Sequence, residues 1–184
     1  MSGKACKNCG GSGFRTEERE GRLFALPCSC RKTALQSQFI NRAGIPQGYE
    51  RYVFDNYKPV TDSQKEALRR CRHYAEEYPA FGEGANGLLL LGTCGVGKTH
   101  LAVAILMQVV WEKGMPALFV DLNDLYREIR STYGKFESPE TEYDILNPLV
   151  EAPLLLIDEL GCVCTPWAQD TLHYLVSQRY SEQR

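Results

Sequence analysis

A glycine-rich segment in the middle of the chain has the residue types and spacing of a phosphate-binding loop. It follows a short apolar run and opens a helical pattern, and it consists of Gly92, Thr93, Cys94, Gly95, Val96, Gly97, Lys98 and Thr99. Glycines permit a tight loop whose backbone N–H groups point at phosphate oxygens, and the helix N-terminus adds the positive end of its dipole. In this context Lys98 is predicted to reach the β- and γ-phosphates of a nucleotide, and the Thr99 hydroxyl is predicted to ligate Mg²⁺. The alternative interpretation is a glycine-rich turn that holds no ligand.

An acidic pair, Asp158 and Glu159, directly follows another apolar run at residues 154–157. A carboxylate at the end of a buried strand is the second half that a nucleotide site of this kind needs. We predict that Asp158 holds the Mg²⁺ ion and that Glu159 polarises an attacking water, which favours a nucleoside triphosphatase over a kinase. The alternative is a solvated pair of acids at a strand end.

Four cysteines near the N-terminus have the spacing of a metal site. They form two pairs separated by eighteen residues, Cys6 with Cys9 and Cys28 with Cys30. Four thiolates from two such pairs match a tetrahedral Zn²⁺ site, and because the protein would fill all four positions, the metal would be structural. Free or redox-active thiols and an iron–sulfur cluster are the alternatives.

Three of the remaining cysteines give weaker indications. Cys94 is interpreted as a tolerated small residue of the loop, or else as a thiol activated by the helix N-terminus and open to oxidation. Cys162 and Cys164 follow the acidic pair without a second cysteine pair nearby, which favours packing or solvent-facing thiols over metal or redox chemistry.

Composition limits the classes of protein to consider. The 184 residues suit one domain with a small appendage, and a hydrophobic content of 43% is enough for an ordinary core. The formal net charge of -2 gives no overall attraction to nucleic acid, so any such contact must come from a local patch or from assembly. No apolar run is long enough to cross a membrane, and residues 1–10 lack the apolar segment of a signal peptide. Eight cysteines without an export signal predict a location in the reducing cytoplasm.

The apolar patterning predicts strands that alternate with helices from residue 87 onward. The predicted strands are 88–91, 117–120 and 154–157. The predicted helices are 32–43, 61–78, 98–113, 123–133 and one that begins at Pro166. This order implies an α/β fold with a three-stranded parallel sheet covered by helices on both faces. We expect a zinc-binding module with four cysteines at 1–31, a linker helix and lead-in at 32–60, and a core at 61–184.

Two further segments admit two interpretations each. The aromatic stretch from Tyr49 to Tyr57 either stacks on an adenine or on bases, or packs against the sheet. The basic run at residues 69–72 is either a solvated helix face or a contact for nucleic acid or a partner. Basic residues around the N-terminal cysteines also favour a partner of this kind, but three glutamates between residues 17 and 20 are interleaved with them.

These features occur together in an order that resembles a known family. The order is Gly44-Ile45-Pro46, Phe54-Asp55-Asn56-Tyr57, the phosphate loop with Lys98-Thr99-His100-Leu101-Ala102, and Leu155-Leu156-Ile157-Asp158-Glu159-Leu160-Gly161. Over about residues 40–184 the chain resembles the DnaC/IstB family of AAA+ ATPases, which comprises helicase loaders and the ATPase helpers of certain transposases. The lead-in at residues 45–57 is the most discriminating part of the resemblance. The four-cysteine module also looks like the zinc-binding front end of some loader-like proteins.

The resemblance implies an AAA+ P-loop NTPase with a three-layer α/β/α fold. Such proteins bind ATP and Mg²⁺ at interfaces between subunits of a homo-oligomer, contact single-stranded DNA and load a DnaB-like ring helicase. By match to the family motifs, residues 92–99, His100 and Asp158 bind the nucleotide, Thr99 and Asp158 hold the Mg²⁺, and Lys98 and Glu159 serve catalysis. The lead-in is expected near the adenine.

Family members also continue beyond the position of Arg184 into a strand with a polar sensor residue, an arginine finger and a second sensor. From residues 1–184 we therefore expect nucleotide binding but not efficient hydrolysis, because an arginine supplied in trans contributes a factor of about 10³ or more. We assign neither Arg179 nor Arg184 as that finger.

Three functions remain open at this point. The first is an ATP-dependent helicase loader, and the second is a transposition helper that marks target DNA. The third is a module that binds nucleotide and a partner without turnover. The sequence contains no guanine-reading Asn-Lys-x-Asp motif, and the resemblance favours ATP.

Overall fold

A computed structural model of the protein describes residues 6–19, 21–80, 87–133, 141–161 and 165–184. The strands and helices, in chain order, are β1 (Phe14–Arg19), β2 (Arg22–Pro27), α1 (Ser29–Arg42), α2 (Asp62–Glu77), α3 (Lys98–Gln108), β3 (Ala117–Asp121), α4 (Leu122–Thr132), α5 (Glu142–Glu151), β4 (Leu154–Asp158) and α6 (Pro166–Ser181). Two single turns of 3₁₀-helix, Tyr49–Arg51 and Phe54–Asn56, lie between α1 and α2, and a π-helical turn, Val109–Lys113, extends α3.

The parallel pair β3–β4 forms the middle layer of the core, with residues in register from Ala117 opposite Leu154 to Asp121 opposite Asp158. Alternate side chains of the two strands enter two separate clusters. One cluster contains Phe119 and Leu156 together with α2 and α3. The other contains α4, α5 and α6, and Leu118 and Leu155 pack against it. Helices therefore cover both faces of the sheet, and the predicted three-layer α/β/α fold is confirmed.

The central helix α3 is apolar around most of its circumference, as expected for a helix enclosed by other elements. Six of its eleven residues are buried, namely Leu101, Val103, Ala104, Ile105, Leu106 and Met107. The helical segment ends at Gly114, whose φ of 67° is the left-handed conformation that a glycine C-cap adopts without strain. The predicted end at 113 is thus confirmed.

The prediction of a buried strand at residues 88–91 was wrong. Leu88, Leu89 and Leu91 are 40%, 62% and 82% exposed, and their backbone is assigned to no strand. An apolar run becomes a strand only when neighbouring strands accept its backbone hydrogen bonds. Within the described residues, β3 and β4 pair with each other and neither pairs with this run. The parallel sheet accordingly has two described strands and not three.

Helix α5 was not predicted, and it has Pro148 in its interior, a position that proline normally disfavours. The helix forms from a reciprocal capping box in which Thr141 and Asp144 each bond the other's backbone N–H. Helix α2 begins with the same device, formed by Thr61 and Gln64. The helix predicted at 61–78 is therefore observed at Asp62–Glu77, with Thr61 as its N-cap.

The N-terminal part contains an antiparallel hairpin that sequence patterning did not indicate. Strands β1 and β2 pair from Phe14 opposite Pro27 to Arg19 opposite Arg22. Every residue of both strands is exposed apart from Glu17 and Leu26, which are half-buried. None of the described helices is long and apolar enough to span a membrane.

The basic run on α2 lies on an exposed helix face and is paired with carboxylates. Arg69 and Arg70 both bond Glu66, at 2.8 and 2.7 Å. Arg72 donates to Asp55 at 2.9 Å and so ties α2 to the second 3₁₀ turn. These pairs give the run a structural role on the helix surface.

Arg179 of α6 is half-buried and caps the end of α5. Its Nη1 donates to the backbone oxygens of Leu149, Val150 and Ala152 at 2.8, 3.1 and 2.6 Å. Burial lowers the pKa of this guanidinium. These carbonyls are among those that a helix C-terminus leaves without partners, so Arg179 joins α5 to α6.

We expect Arg179→Met to lower the free energy of unfolding by about 3 kcal/mol, because three carbonyls lose a charged donor. In thermal unfolding this corresponds to a fall in Tm of roughly 6–12 °C. The matched control is Arg127→Met, since Arg127 is 81% exposed in its pair with Asp124. An equal change in both variants would contradict the capping role.

Candidate functional site

The phosphate loop is exposed at its start and half-buried at its end, where α3 begins. The Lys98 Nζ donates to the backbone oxygens of Gly92 and Thr93, at 3.0 and 2.9 Å. Its charge is therefore held inside the loop, where phosphate oxygens would be received. No side chain of the described residues caps the N-terminus of α3, which begins after Gly97. The first N–H groups of the helix are available to an anion.

The two halves of the predicted site are joined by one hydrogen bond. The Thr99 hydroxyl donates to Asp158 Oδ2 at 2.9 Å, although the two residues are 59 positions apart in the chain. Thr99 lies in the first turn of α3 and Asp158 is the last residue of β4. A hydroxyl and a carboxylate oxygen in contact are ligands that Mg²⁺ accepts together.

Glu159 follows Asp158 in a left-handed backbone conformation, with φ of 58°. This conformation is uncommon for a residue other than glycine and is concentrated at functional sites. The Glu159 N–H donates to Asp158 Oδ1 at 3.0 Å, so that both oxygens of the Asp158 carboxylate are occupied. The Glu159 side chain itself is exposed.

A second carboxylate, Asp121, pairs directly with Asp158 at the end of the neighbouring strand. Its Oδ1 accepts the N–H of Asn123 at 2.8 Å, and Asp121 is thus the N-cap of α4. Two acids at the same sheet edge therefore have different roles, one as a helix cap and the other as a partner of Thr99.

The aromatic lead-in packs against the phosphate loop and the start of α3. The Tyr57 hydroxyl donates to the Val96 backbone oxygen at 2.9 Å. Gln64 Nε2 donates to the same oxygen at 3.3 Å. Burial raises the pKa of Tyr57, which therefore stays protonated as a donor at neutral pH. The stretch packs on the loop and on α3, and Tyr49 also packs edge-on against Phe119 of the sheet.

Gly97 lies against the lead-in with no room for a side chain. A Cβ atom built on Gly97 would lie 2.5 Å from Tyr57 Cε2, and its φ of 94° disfavours any other residue. Tyr57 thus contacts the backbone of the loop at two consecutive residues.

His100 is held within the lead-in by aromatic contacts. Its ring stacks on Tyr52 with centroids 4.6 Å apart and lies edge-on to Tyr57. One of its ring nitrogens, Nε2, lies 2.9 Å from the Val53 backbone oxygen. The structure therefore places His100 between α3 and the lead-in.

The four N-terminal cysteines converge on one point. Their sulfur atoms all lie within 4.8 Å of one another, with Cys6 to Cys28 at 3.8 Å and Cys9 to Cys30 at 3.4 Å. A tetrahedral site with Zn–S bonds of about 2.3 Å would separate the sulfurs by about 3.8 Å. The chemistry and spacing of this cluster fit a metal site with four cysteine ligands.

A shared proton links Cys9 and Cys30. The hydrogen bond from the Cys30 thiol lowers the pKa of Cys9 to about 6, assisted by the backbone N–H groups of the turn. The same bond raises the pKa of Cys30 to about 12. The lowered pKa favours the thiolate form of Cys9, and thiolates are the form that binds metal.

The other predicted cysteines lie outside these sites or outside the described residues. Cys94 is exposed at the tip of the phosphate loop. Cys162 and Cys164 lie outside the described part of the chain. Sequence reasoning missed Tyr57 and Gln64 as residues that hold the loop, and the only signal was their place in the lead-in and in the capping box of α2.

Comparison with known proteins gives consistent matches. Residues 31–184 match the family model of IstB-like ATP binding proteins. The chain is 31% identical over 169 residues to the replicative helicase loader DnaC of Buchnera aphidicola, a match that covers 91% of this chain and 67% of that relative. It is 29% identical over 172 residues to the DnaC of Escherichia coli strain K12, with 93% of this chain and 67% of the relative covered.

A solved structure, a crystal structure of the DnaC helicase loader, has the same fold. Its TM-score to this chain is 0.63 at 30% identity, with 74% of each chain covered.

We expect Tyr57→Phe to weaken nucleotide binding about fivefold, because the Val96 carbonyl loses one of its two donors, at about 1 kcal/mol. Titration with a fluorescent ATP analogue measures this. Tyr133→Phe is the control, since the Tyr133 hydroxyl bonds Glu142 instead. Unchanged affinity in Tyr57→Phe would show that the loop keeps its shape without this hydrogen bond.

Proposed function

Because the chain belongs to the family of IstB-like ATP-binding proteins, which residues 31–184 match, we propose that it is a helicase loader of the DnaC type controlled by ATP. The observation that carries this proposal is the contact between Thr99 and Asp158 beneath the Lys98 loop, which unites the two halves of an ATP site. The proposed partner is a DnaB-like replicative helicase. The relatives that are named replicative helicase loader, at about 30% identity, support this choice.

The residues of the site fit ATP with Mg²⁺, the ligands that the family implies. Lys98 and the loop backbone at residues 92–97 would hold the phosphates. Thr99 and Asp158 would hold the metal ion, which supplies charge neutralisation on the transferred phosphate. Glu159 is the candidate base for water, since its carboxylate is exposed next to Asp158. We place the lead-in close to the adenine, because it already lines the loop and the start of α3.

Lys98→Ala is expected to weaken ATP binding by roughly 10- to 100-fold, because charged hydrogen bonds to phosphate are lost. Isothermal titration with ATP and Mg²⁺ measures the change. Lys65→Ala is a matched control, since Lys65 is exposed and paired with Asp62 on α2. If Lys98→Ala binds ATP as tightly as the wild type, the phosphate-loop assignment is wrong.

Glu159→Gln separates binding from turnover. The variant is expected to bind ATP normally and to lose any hydrolysis that the wild type shows. Retention of full hydrolysis in this variant would remove Glu159 from the role of base.

A second candidate function is that of a transposition helper, which the IstB-like family model favours. Size-exclusion chromatography with the replicative helicase and, separately, with a transposase encoded beside the gene distinguishes the two. An ATP-dependent complex with the helicase that Lys98→Ala fails to form supports the loader. A complex with the transposase alone would replace it by the helper, and binding of ATP without either complex would leave a nucleotide-binding module.

We also propose that Cys6, Cys9, Cys28 and Cys30 bind a structural Zn²⁺ ion. The four sulfurs already lie at distances close to those of a tetrahedral site. In a reducing compartment, four clustered thiols favour a metal over disulfides. The family resemblance further supports action in the cytoplasm as a homo-oligomer that binds ATP between subunits.

Elemental analysis of protein purified without chelator is expected to give about one zinc per chain. Cys9→Ser should reduce the bound zinc substantially, whereas Cys94→Ser, a change at an exposed cysteine outside the cluster, should not. Iron in place of zinc, with visible absorption, would indicate a cluster instead.

A further inference from the structure

Positive charge in this chain is concentrated at the N-terminal end. Residues 1–32 contain seven Lys and Arg against three Glu, whereas the whole chain has a net charge of -2. A Zn²⁺ ion bound by four thiolates carries two negative charges, so the net charge of residues 1–32 would stay positive with zinc bound. The rest of the chain is therefore acidic, and an anionic partner would be attracted to this end.

The register of the hairpin separates the charges that the sequence interleaves. In an antiparallel pair, directly opposed residues share a face, and successive residues of a strand alternate between faces. One face, here called the basic face, carries Arg15, Glu17, Arg19, Arg22, Phe24 and Leu26. The opposite face carries Glu18 and Leu23, together with Phe14, whose ring is covered by the guanidinium of Arg31 at 4.8 Å.

The arginines of the basic face have little internal compensation. Arg19 and Arg22 are directly opposed, an arrangement that repulsion disfavours. Glu17 accepts from Arg19 at 2.9 Å. Among the described residues, neither Arg15 nor Arg22 has an ion pair. The face thus keeps a net positive charge, spread over about 13 Å of β1 from Arg15 to Arg19.

An aromatic ring lies among these arginines. Phe24 is directly opposed to Glu17, two residues from Arg22 on the same face of β2, and is 46% exposed. Arginines that follow a phosphate backbone together with an exposed ring on which bases stack are the usual elements of single-strand recognition. A duplex would offer its phosphates but not the faces of its bases.

We propose that the basic face of the β1–β2 hairpin binds single-stranded nucleic acid, with Arg15, Arg19 and Arg22 on phosphates and Phe24 stacked on a base. This is the surface through which the proposed loader would contact a single strand. The inference rests on the loader function only in taking that strand to be the one that a loader contacts. It requires neither ATP nor a helicase. Direct binding therefore tests it separately from the loader function.

The experiment measures the fluorescence anisotropy of a labelled oligo(dT) of about 20 nucleotides as the intact, zinc-loaded chain is added in the absence of ATP. It is repeated between about 50 and 200 mM salt, a range over which the affinity is expected to change roughly tenfold. The triple variant Arg15→Gln/Arg19→Gln/Arg22→Gln should bind at least about tenfold more weakly, with a salt slope lower by about 2. Phe24→Leu should lose about fivefold or more, and Phe24→Tyr should restore binding.

The controls separate this face from charge in general and from loss of folding. Arg69→Gln/Arg70→Gln removes two positive charges from the exposed face of α2 and should leave binding within about twofold. Leu23→Ser changes the opposite face of the same hairpin. Zinc content reports whether each hairpin variant keeps its fold, and only variants with wild-type zinc are compared.

Several results would overturn the proposal. One is wild-type affinity in the folded triple variant, and another is equal affinity for oligo(dT) and for a duplex of the same length. A third is loss of helicase binding in the hairpin variants with oligo(dT) binding unchanged, which would make the basic face a docking site for protein. If the chain fails to bind the helicase while the oligo(dT) results are as expected, the loader function is wrong and the proposed nucleic-acid surface is still supported.

Discussion

The hydrogen bond between Thr99 and Asp158 depends on the placement of α3 and β4, and most of the core serves that placement. Helix α3 is enclosed by apolar neighbours, and β4 is held in register with β3 from Leu154 to Asp158. A slip of one residue in this register would turn the Asp158 side chain to the other face of the sheet. Because both elements are packed in the core and Thr99 bonds Asp158, the two candidate metal ligands are held next to each other.

The phosphate loop itself has no comparable support from the sheet, because the run before it pairs with no strand among the described residues and exposes Leu88, Leu89 and Leu91. Its shape is held from the other side, by the lead-in. Val96 accepts hydrogen bonds from both Tyr57 and Gln64, and Gly97 packs under the Tyr57 ring. Gln64 also completes the capping box of α2, so the start of that helix and the loop are fixed by one side chain. This gives the lead-in a physical role that does not depend on direct contact with the adenine.

Local signals in the sequence predicted most of the fold, whereas features that depend on distant residues were missed. The end of the α3 segment at Gly114, the strands β3 and β4, and the helices α2, α3, α4 and α6 follow from short segments, and the structure confirms them. The run at 88–91 was mispredicted because burial depends on partners and not on composition. Helix α5 was missed; it contains Pro148, begins with a capping box at Thr141 and buries Leu146, Leu149 and Val150. Motifs predict Lys98 and Asp158 as site residues, whereas Tyr57 bonds a residue 39 positions away, which no local pattern encodes.

The hairpin and the core are stabilised by different means, and α1 connects them. The hairpin is exposed on nearly all its residues, and an isolated two-stranded ribbon is marginal in water, so the four converging cysteines are what fixes its base. Cys30 belongs to the first turn of α1. At the other end of this helix, the Ala43 oxygen accepts the Phe119 N–H at 2.6 Å, on β3. One helix therefore extends from the cysteine cluster to a strand that ends beside Asp158, and the orientation of the hairpin is set by the same sheet that positions the candidate nucleotide site.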